Sequence, residues 1–126
     1  MSKSDYVLVV DDDEALCALI ELALGDEGYE VAGCTNPADA LRLVAERRPG
    51  LILLDLRMPA MDGESFIRAF RAMPNATVPI VVFSALPHVE EHAARLGAAG
   101  WVSKPFDLDD LISAVNRALR LRATAA

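Results

Sequence analysis

Short apolar runs alternate with segments of helical period along the chain. Tyr6–Val10, Leu51–Leu54 and Pro79–Phe83 are apolar at successive positions, the first and last of them rich in β-branched residues, the pattern of strands buried on both faces of a sheet. Glu30–Cys34 and Trp101–Ser103 carry a weaker version, which suits edge or short strands. Between the runs, Leu16, Leu19, Ile20 and Ala23 recur on one helical face, and Gly25 or Gly28 ends that segment. Asn36 followed by Pro37 predicts an N-cap and a first helical position, opening a helix to about Arg48. A third helix is predicted from near Gly63 to Ala72, with Phe66, Ile67 and Phe70 turned inward. A fourth spans about His88 to Leu96 and is stopped by Gly97. The last begins at Asp107 and sets Leu108, Leu111, Ile112, Val115 and Leu119 on one stripe.

Strict alternation of five strand–helix units predicts an α/β domain, a doubly wound parallel sheet of five strands with five helices covering both faces. The order 2-1-3-4-5 suits five strands. It makes strands one and three neighbours where the winding reverses, and ligands of such sheets sit at the carboxyl ends there. No linker, repeat or low-complexity tract interrupts the pattern, so 1–126 reads as a single domain with a core of about 6–121.

Composition narrows the classes. A hydrophobic content of 53% against 25% charged excludes a disordered segment, and a formal net charge of -7 disfavours nucleic acid and anionic membranes as partners of the whole surface. No apolar stretch approaches the roughly 18 residues of a membrane span. Met-Ser-Lys-Ser-Asp lacks the apolar middle of a signal peptide, which predicts a cytoplasmic chain. Cys17 and Cys34 fit no disulfide framework and no zinc or redox motif. Of the two lysines, Lys3 falls in an expected floppy terminus, leaving Lys104 as the lysine held in structure.

The acids are clustered. Asp11, Asp12 and Asp13 follow the first strand, and Asp55 follows the third, at the rim where the winding reverses. Two carboxylates about 5 Å apart repel by roughly 3 kcal/mol at an effective dielectric near 20. A hard divalent cation offsets such repulsion, and Mg²⁺ commonly takes one or two carboxylates together with waters and a phosphate oxygen. Asp13 reads mainly as a helix cap. Ser84 ends the fourth strand and Lys104 the fifth, adding a hydroxyl donor and a compact cation suited to a phosphoryl group. Pro105 makes the Lys104–Pro105 bond a candidate cis peptide. Four of the five strand ends thus supply side chains of the kinds a metal-bound phosphoryl site uses.

Val-Val-Asp11-Asp12, Leu-Asp55-Leu-Arg-Met58-Pro59, Asp62-Gly63, Phe-Ser84-Ala85 and Lys104-Pro105-Phe106, at these intervals, resemble the receiver domain of two-component response regulators, over about Tyr6 to Leu121. The resemblance implies a flavodoxin-like (CheY-like) fold and a phosphorylation-controlled signalling switch of a phosphorelay, not an enzyme. It implies Asp55 as phosphoryl acceptor, with a histidine kinase or histidine phosphotransfer protein as donor. It implies Mg²⁺ or Mn²⁺ held by Asp12, Asp55 and the backbone carbonyl of Arg57, with Asp11 acting mainly through a water. Lys104 would pair with the phosphoryl group and Ser84 would hydrogen-bond to it. Trp101, three residues before the lysine, takes the place of an aromatic that swings inward as the hydroxyl moves, and half-buried packing is its alternative role.

Other signals point elsewhere with less support. His88-Val89-Glu90-Glu91-His92 matches the string of inverted zinc peptidases, with both histidines expected on one helix face, but no further ligand is evident. A flavin site would want a Ser/Thr/Gly-rich phosphate loop where Asp11–Asp13 stand. A haloacid-dehalogenase-like phosphatase would want an acid where Arg57 stands. Arg57 and Leu86, each two residues beyond a site residue, are expected to shield the phosphoryl group from water. No DNA-binding or output segment follows the fifth helix in the sequence, so a stand-alone regulator and a receiver cut from a longer chain both fit, as do a monomer and a weak dimer. A degenerate receiver that binds partners without phosphorylation would lack an acid, the hydroxyl or the lysine, and all are present.

Overall fold

Four consecutive apolar residues at Val7–Val10 form β1, an interior strand of a parallel sheet whose strands stand in the order β2-β1-β3-β4-β5. The structure, a computed structural model, describes residues 6–59, 61–74 and 77–125, with side chains through Arg120. Lys3 and the side chains of the arginine-bearing tail beyond Arg120 lie outside that description. The other strands are β2 (Val31–Cys34), β3 (Leu51–Asp55), β4 (Ile80–Ser84) and β5 (Gly100–Ser103). Helices α1 (Glu14–Asp26), α2 (Pro37–Glu46), α3 (Gly63–Arg71), α4 (Val89–Leu96) and α5 (Leu108–Ala125) alternate with them. The expected fold class and strand order are both realised.

Because side chains alternate along a strand, β1, β3 and β4 feed two cores. Leu8, Val10, Ile52, Leu54, Ile80 and Val82 pack beneath α2, α3 and α4, against residues such as Val44, Phe66, Ile67 and Val89. Val7, Val9, Leu51, Leu53, Val81 and Phe83 pack beneath α1 and α5, against Ile20, Leu24, Leu111 and Val115. β1, β3 and β4 are buried along their whole length, which is why they read as unbroken apolar runs. β2 and β5 sit at the edges with mixed exposure, hence their weak sequence signal.

Caps fall largely where the chemistry of the residues puts them. The Asp13 carboxylate accepts from the Leu16 amide, and the Asn36 side chain accepts from Ala38 and Asp39. Three boundaries differ from the sequence reading. α2 stops at Glu46 and not at Arg48, since Arg47 is already extended and Pro49 disfavours helix in the residue before it. α5 continues to Ala125, past Leu121, through residues of good helix propensity. His88 is outside α4: it sits in the left-handed region at φ 59°, ψ 40°, as the cap residue. The expected His88–His92 pair on one helix face is therefore not formed.

Candidate functional site: an acidic cup at the strand ends

Topology brings the two acid stretches together. β1 pairs with β3 in parallel, Val10 opposite Leu54, so Asp11 and Asp55 emerge side by side at the carboxyl ends. Asp11, Asp12 and Asp55 each present a carboxylate oxygen, all within 4.8 Å of one another, and they are the one such cluster of potential metal ligands among the described residues. Neither histidine belongs to it.

The three acids are not equivalent. Asp11 is 1% exposed and has both oxygens engaged: Oδ1 accepts from the Asp13 amide at 2.9 Å and Oδ2 from Lys104 Nζ at 3.0 Å. Asp55 is 4% exposed; its Oδ1 accepts from the Arg57 amide at 3.1 Å, and its Oδ2 lies 3.4 Å from Lys104 Nζ. Burial pushes the Asp55 carboxyl above the usual carboxylate range, against the opposing pull of the Arg57 amide and the Lys104 charge. Asp12 is exposed at the rim, in a small cleft shared with Arg57, Met58, Pro59 and Asp62.

Lys104 arrives from the far side of the sheet's second half. Its backbone amide donates to the Ser84 carbonyl at 2.8 Å, extending the β4–β5 ladder by one residue, and the Lys104–Pro105 bond is cis, as expected. Burial opposes the ammonium charge, yet Asp11 and Asp55 outweigh it and hold the Lys104 pKa above its ordinary value. Ser84 is fully buried, and its hydroxyl oxygen accepts from the Leu86 amide at 3.0 Å. Trp101 stands apart, 43% exposed on β5 beside Glu90, Asp110 and Arg117.

Three contributors were not read from the sequence. Gly63 opens α3 so close to the site that a Cβ there would stand 2.8 Å from Leu56 Cα and 3.1 Å from the Asp55 carbonyl oxygen. The Asp62–Gly63 pair was noted, but not this approach. The buried Cys17 thiol donates to the Asp11 carbonyl at 3.3 Å, and burial pushes its pKa up to about 12, so it acts as a structural group and not a nucleophile. The Phe83 ring lies under Lys104. None carries a local signal, because each contact joins segments distant in sequence or depends on backbone spacing.

The donor set fits a hard divalent cation: carboxylate oxygens only, two of the three acids buried, with like charges that one lysine offsets in part. No helix among the described residues is long and apolar enough to cross a membrane.

Known proteins similar to this chain are numerous. The chain is 44% identical over 125 residues to the transcriptional regulatory protein PrrA of Mycobacterium bovis, covering 98% of this chain but 53% of that protein, about half its length. It is 29% identical over 122 residues to sporulation initiation phosphotransferase F of Bacillus subtilis, covering 95% of this chain and 98% of that one. Among solved structures, the chemotaxis protein CheY4 of Vibrio cholerae superposes with a TM-score of 0.82 at 30% identity, covering 90% of this chain and 98% of that chain. The family model for the response regulator receiver domain matches residues 7–116. With that match spanning both acid stretches, Ser84 and Lys104, the chain belongs to the response regulator receiver domain family of two-component signalling systems.

Proposed function

We propose that this domain switches state when Asp55 accepts a phosphoryl group from a phosphohistidine of a histidine kinase or phosphotransfer protein. The observation that carries the reading is the placement of Asp55: a buried carboxylate at the end of a central strand, within 4.8 Å of two other acids and 3.4 Å from the Lys104 ammonium. A carboxylate oxygen of Asp55 attacks phosphorus, the P–N bond to the donor imidazole breaks, and the electron pair returns to the ring nitrogen. The Arg57 amide holds the other Asp55 oxygen, orienting the nucleophile.

Asp12, Asp55 and the Arg57 carbonyl would hold Mg²⁺ or Mn²⁺, and Asp11, whose oxygens are already bonded within the protein, would act through a water. Held there, the cation would supply positive charge to offset the clustered acid oxygens and a phosphoryl group. Lys104 pairs with the transferred group. Ser84 donates its hydroxyl proton to it, drawing the β4–α4 connection inward and biasing the surface around Trp101. The domain serves as a switch more than as an enzyme, the exchange takes place in the cytoplasm, and the output passes to a downstream protein as monomer or weak dimer.

The test titrates Mg²⁺ and then beryllium fluoride while following the fluorescence of Trp101, the only tryptophan. Responses in both steps that vanish in Asp55→Ala support the reading. A second-step response that survives the substitution refutes it.

A further inference from the structure

The Lys104 ammonium has three neighbours, and the third is not an anion. Its Nζ stands 3.0 Å from Asp11 Oδ2, 3.4 Å from Asp55 Oδ2, and 4.9 Å from the centroid of the Phe83 ring. Phe83 is fully buried and immediately precedes Ser84 on β4. Phe106, two residues beyond Lys104, meets Phe83 in a T-shaped contact, with planes at 87° and centroids 6.1 Å apart. One ring, from the strand beside it, thus faces the lysine, and a second, from the loop after it, packs against the first. An aromatic face is electrostatically negative and attracts a cation, the more so when both are shielded from water.

The two carboxylates that hold Lys104 are the groups that the proposed chemistry engages. As their oxygens are taken up, the ammonium loses its hold on them. A lysine on a flexible four-carbon stem, 22% exposed here, then has solvent as an alternative. The attraction of the ring does not depend on which anions occupy the site. Filling the core beneath α1 and α5 needs only a large apolar side chain, whereas holding the ammonium needs a π face.

We propose that Phe83 is a positioning residue for phosphoryl transfer: its ring keeps the Lys104 ammonium at the site while its partners change from Asp11 and Asp55 to phosphoryl oxygens. This rests on the reading of Asp55 as acceptor. Lys104 touches the transferred group, and Phe83 acts through Lys104.

The test installs mono-, di- and trifluorinated phenylalanine at position 83 of the full chain, which weakens the negative ring face stepwise with little change of shape. Calorimetry measures beryllium fluoride affinity at saturating Mg²⁺, alongside Mg²⁺ affinity and the melting temperature. The expected result is a stepwise loss of beryllium fluoride affinity, about three- to tenfold across the series, with Mg²⁺ affinity and melting unchanged. A flat series overturns the proposal, as does a loss seen in Phe83→Leu but not along the series, because packing then accounts for the residue. If the unmodified protein binds Mg²⁺ but no beryllium fluoride, the acceptor reading of Asp55 fails, and the role of Phe83 falls with it. Binding with a flat series removes only the role of Phe83.

Discussion

The Leu86 amide donates to the Ser84 hydroxyl oxygen at 3.0 Å, tying the start of the β4–α4 connection to the last residue of β4. A hydroxyl that accepts one bond still has a proton to give. Ser84 can therefore bond to a phosphoryl group while keeping Leu86, and on the proposed reading its displacement would be passed to the loop that leads through His88 into α4.

Ser84→Ala should break that link and leave the nucleophile in place. Phosphoryl uptake from acetyl phosphate should persist, while the phosphorylation-dependent change in amide exchange across residues 85–96 should disappear. Exchange followed by mass spectrometry checks this. An undiminished response in the variant would show that another residue carries the coupling.

Asp55 shows how stability and chemistry conflict. Its folded-state pKa is raised, chiefly by burial, so the folded protein binds this proton more tightly than the unfolded chain. The associated stability is present below the unfolded pKa and is lost as pH rises through the folded pKa. Above that folded pKa the metal-free protein thus carries an unfavourable ionised group. Asp55→Asn should raise the metal-free melting temperature by a few degrees at pH 7 and by less at pH 4. It should also shrink the stabilisation given by Mg²⁺, since a ligand stabilises only the state that binds it. Thermal melts at both pH values, with and without Mg²⁺, provide the comparison.

Gly63→Ala should be far more damaging than an ordinary substitution at a helix start. The added Cβ would meet Leu56 Cδ2 at 2.7 Å and Leu56 Cα at 2.8 Å, and backbone cannot yield as a flexible side chain can. A loss of about 1–3 kcal/mol is expected, typical of overpacking. Beryllium fluoride affinity should fall as well, because Leu56 follows Asp55 directly. Denaturant melts measure the first effect and calorimetry the second; a variant as stable as the parent would contradict the close approach.

Arg57 is exposed at the cleft it shares with Asp12, two residues beyond Asp55. If its bulk restricts the attacking water, Arg57→Ala should shorten the lifetime of the phosphorylated state several-fold without altering Mg²⁺ affinity. Phosphate release after removal of acetyl phosphate gives the rate. An unchanged lifetime would remove the shielding role.

Much of this was legible in one sequence because it is encoded locally. The unbroken apolar runs of β1, β3 and β4 announce strands covered on both faces, and Asp13 and Asn36 announce helix starts in their own side-chain chemistry. Asp11 and Asp55 could be joined because strict alternation leaves few topologies, and the parallel pairing of β1 with β3 follows from the chosen order. Illegible were contacts set by three-dimensional spacing. Nothing in the string Phe83-Ser84 says that the ring will lie beneath a lysine that follows the next strand. His88 reads as one more residue of a helical segment, yet it turns left-handed after Pro87. The space missing at Gly63 is a property of where Leu56 runs, not of the glycine.

The most direct measurement is intact-protein and peptide mass spectrometry after incubation with acetyl phosphate, with and without Mg²⁺, on the parent chain and Asp55→Asn. One phosphoryl adduct mapping to Asp55, dependent on Mg²⁺ and missing from the variant, is the expected result. No adduct on the parent chain, or one that persists when Asp55 is replaced, would contradict its assignment as the acceptor.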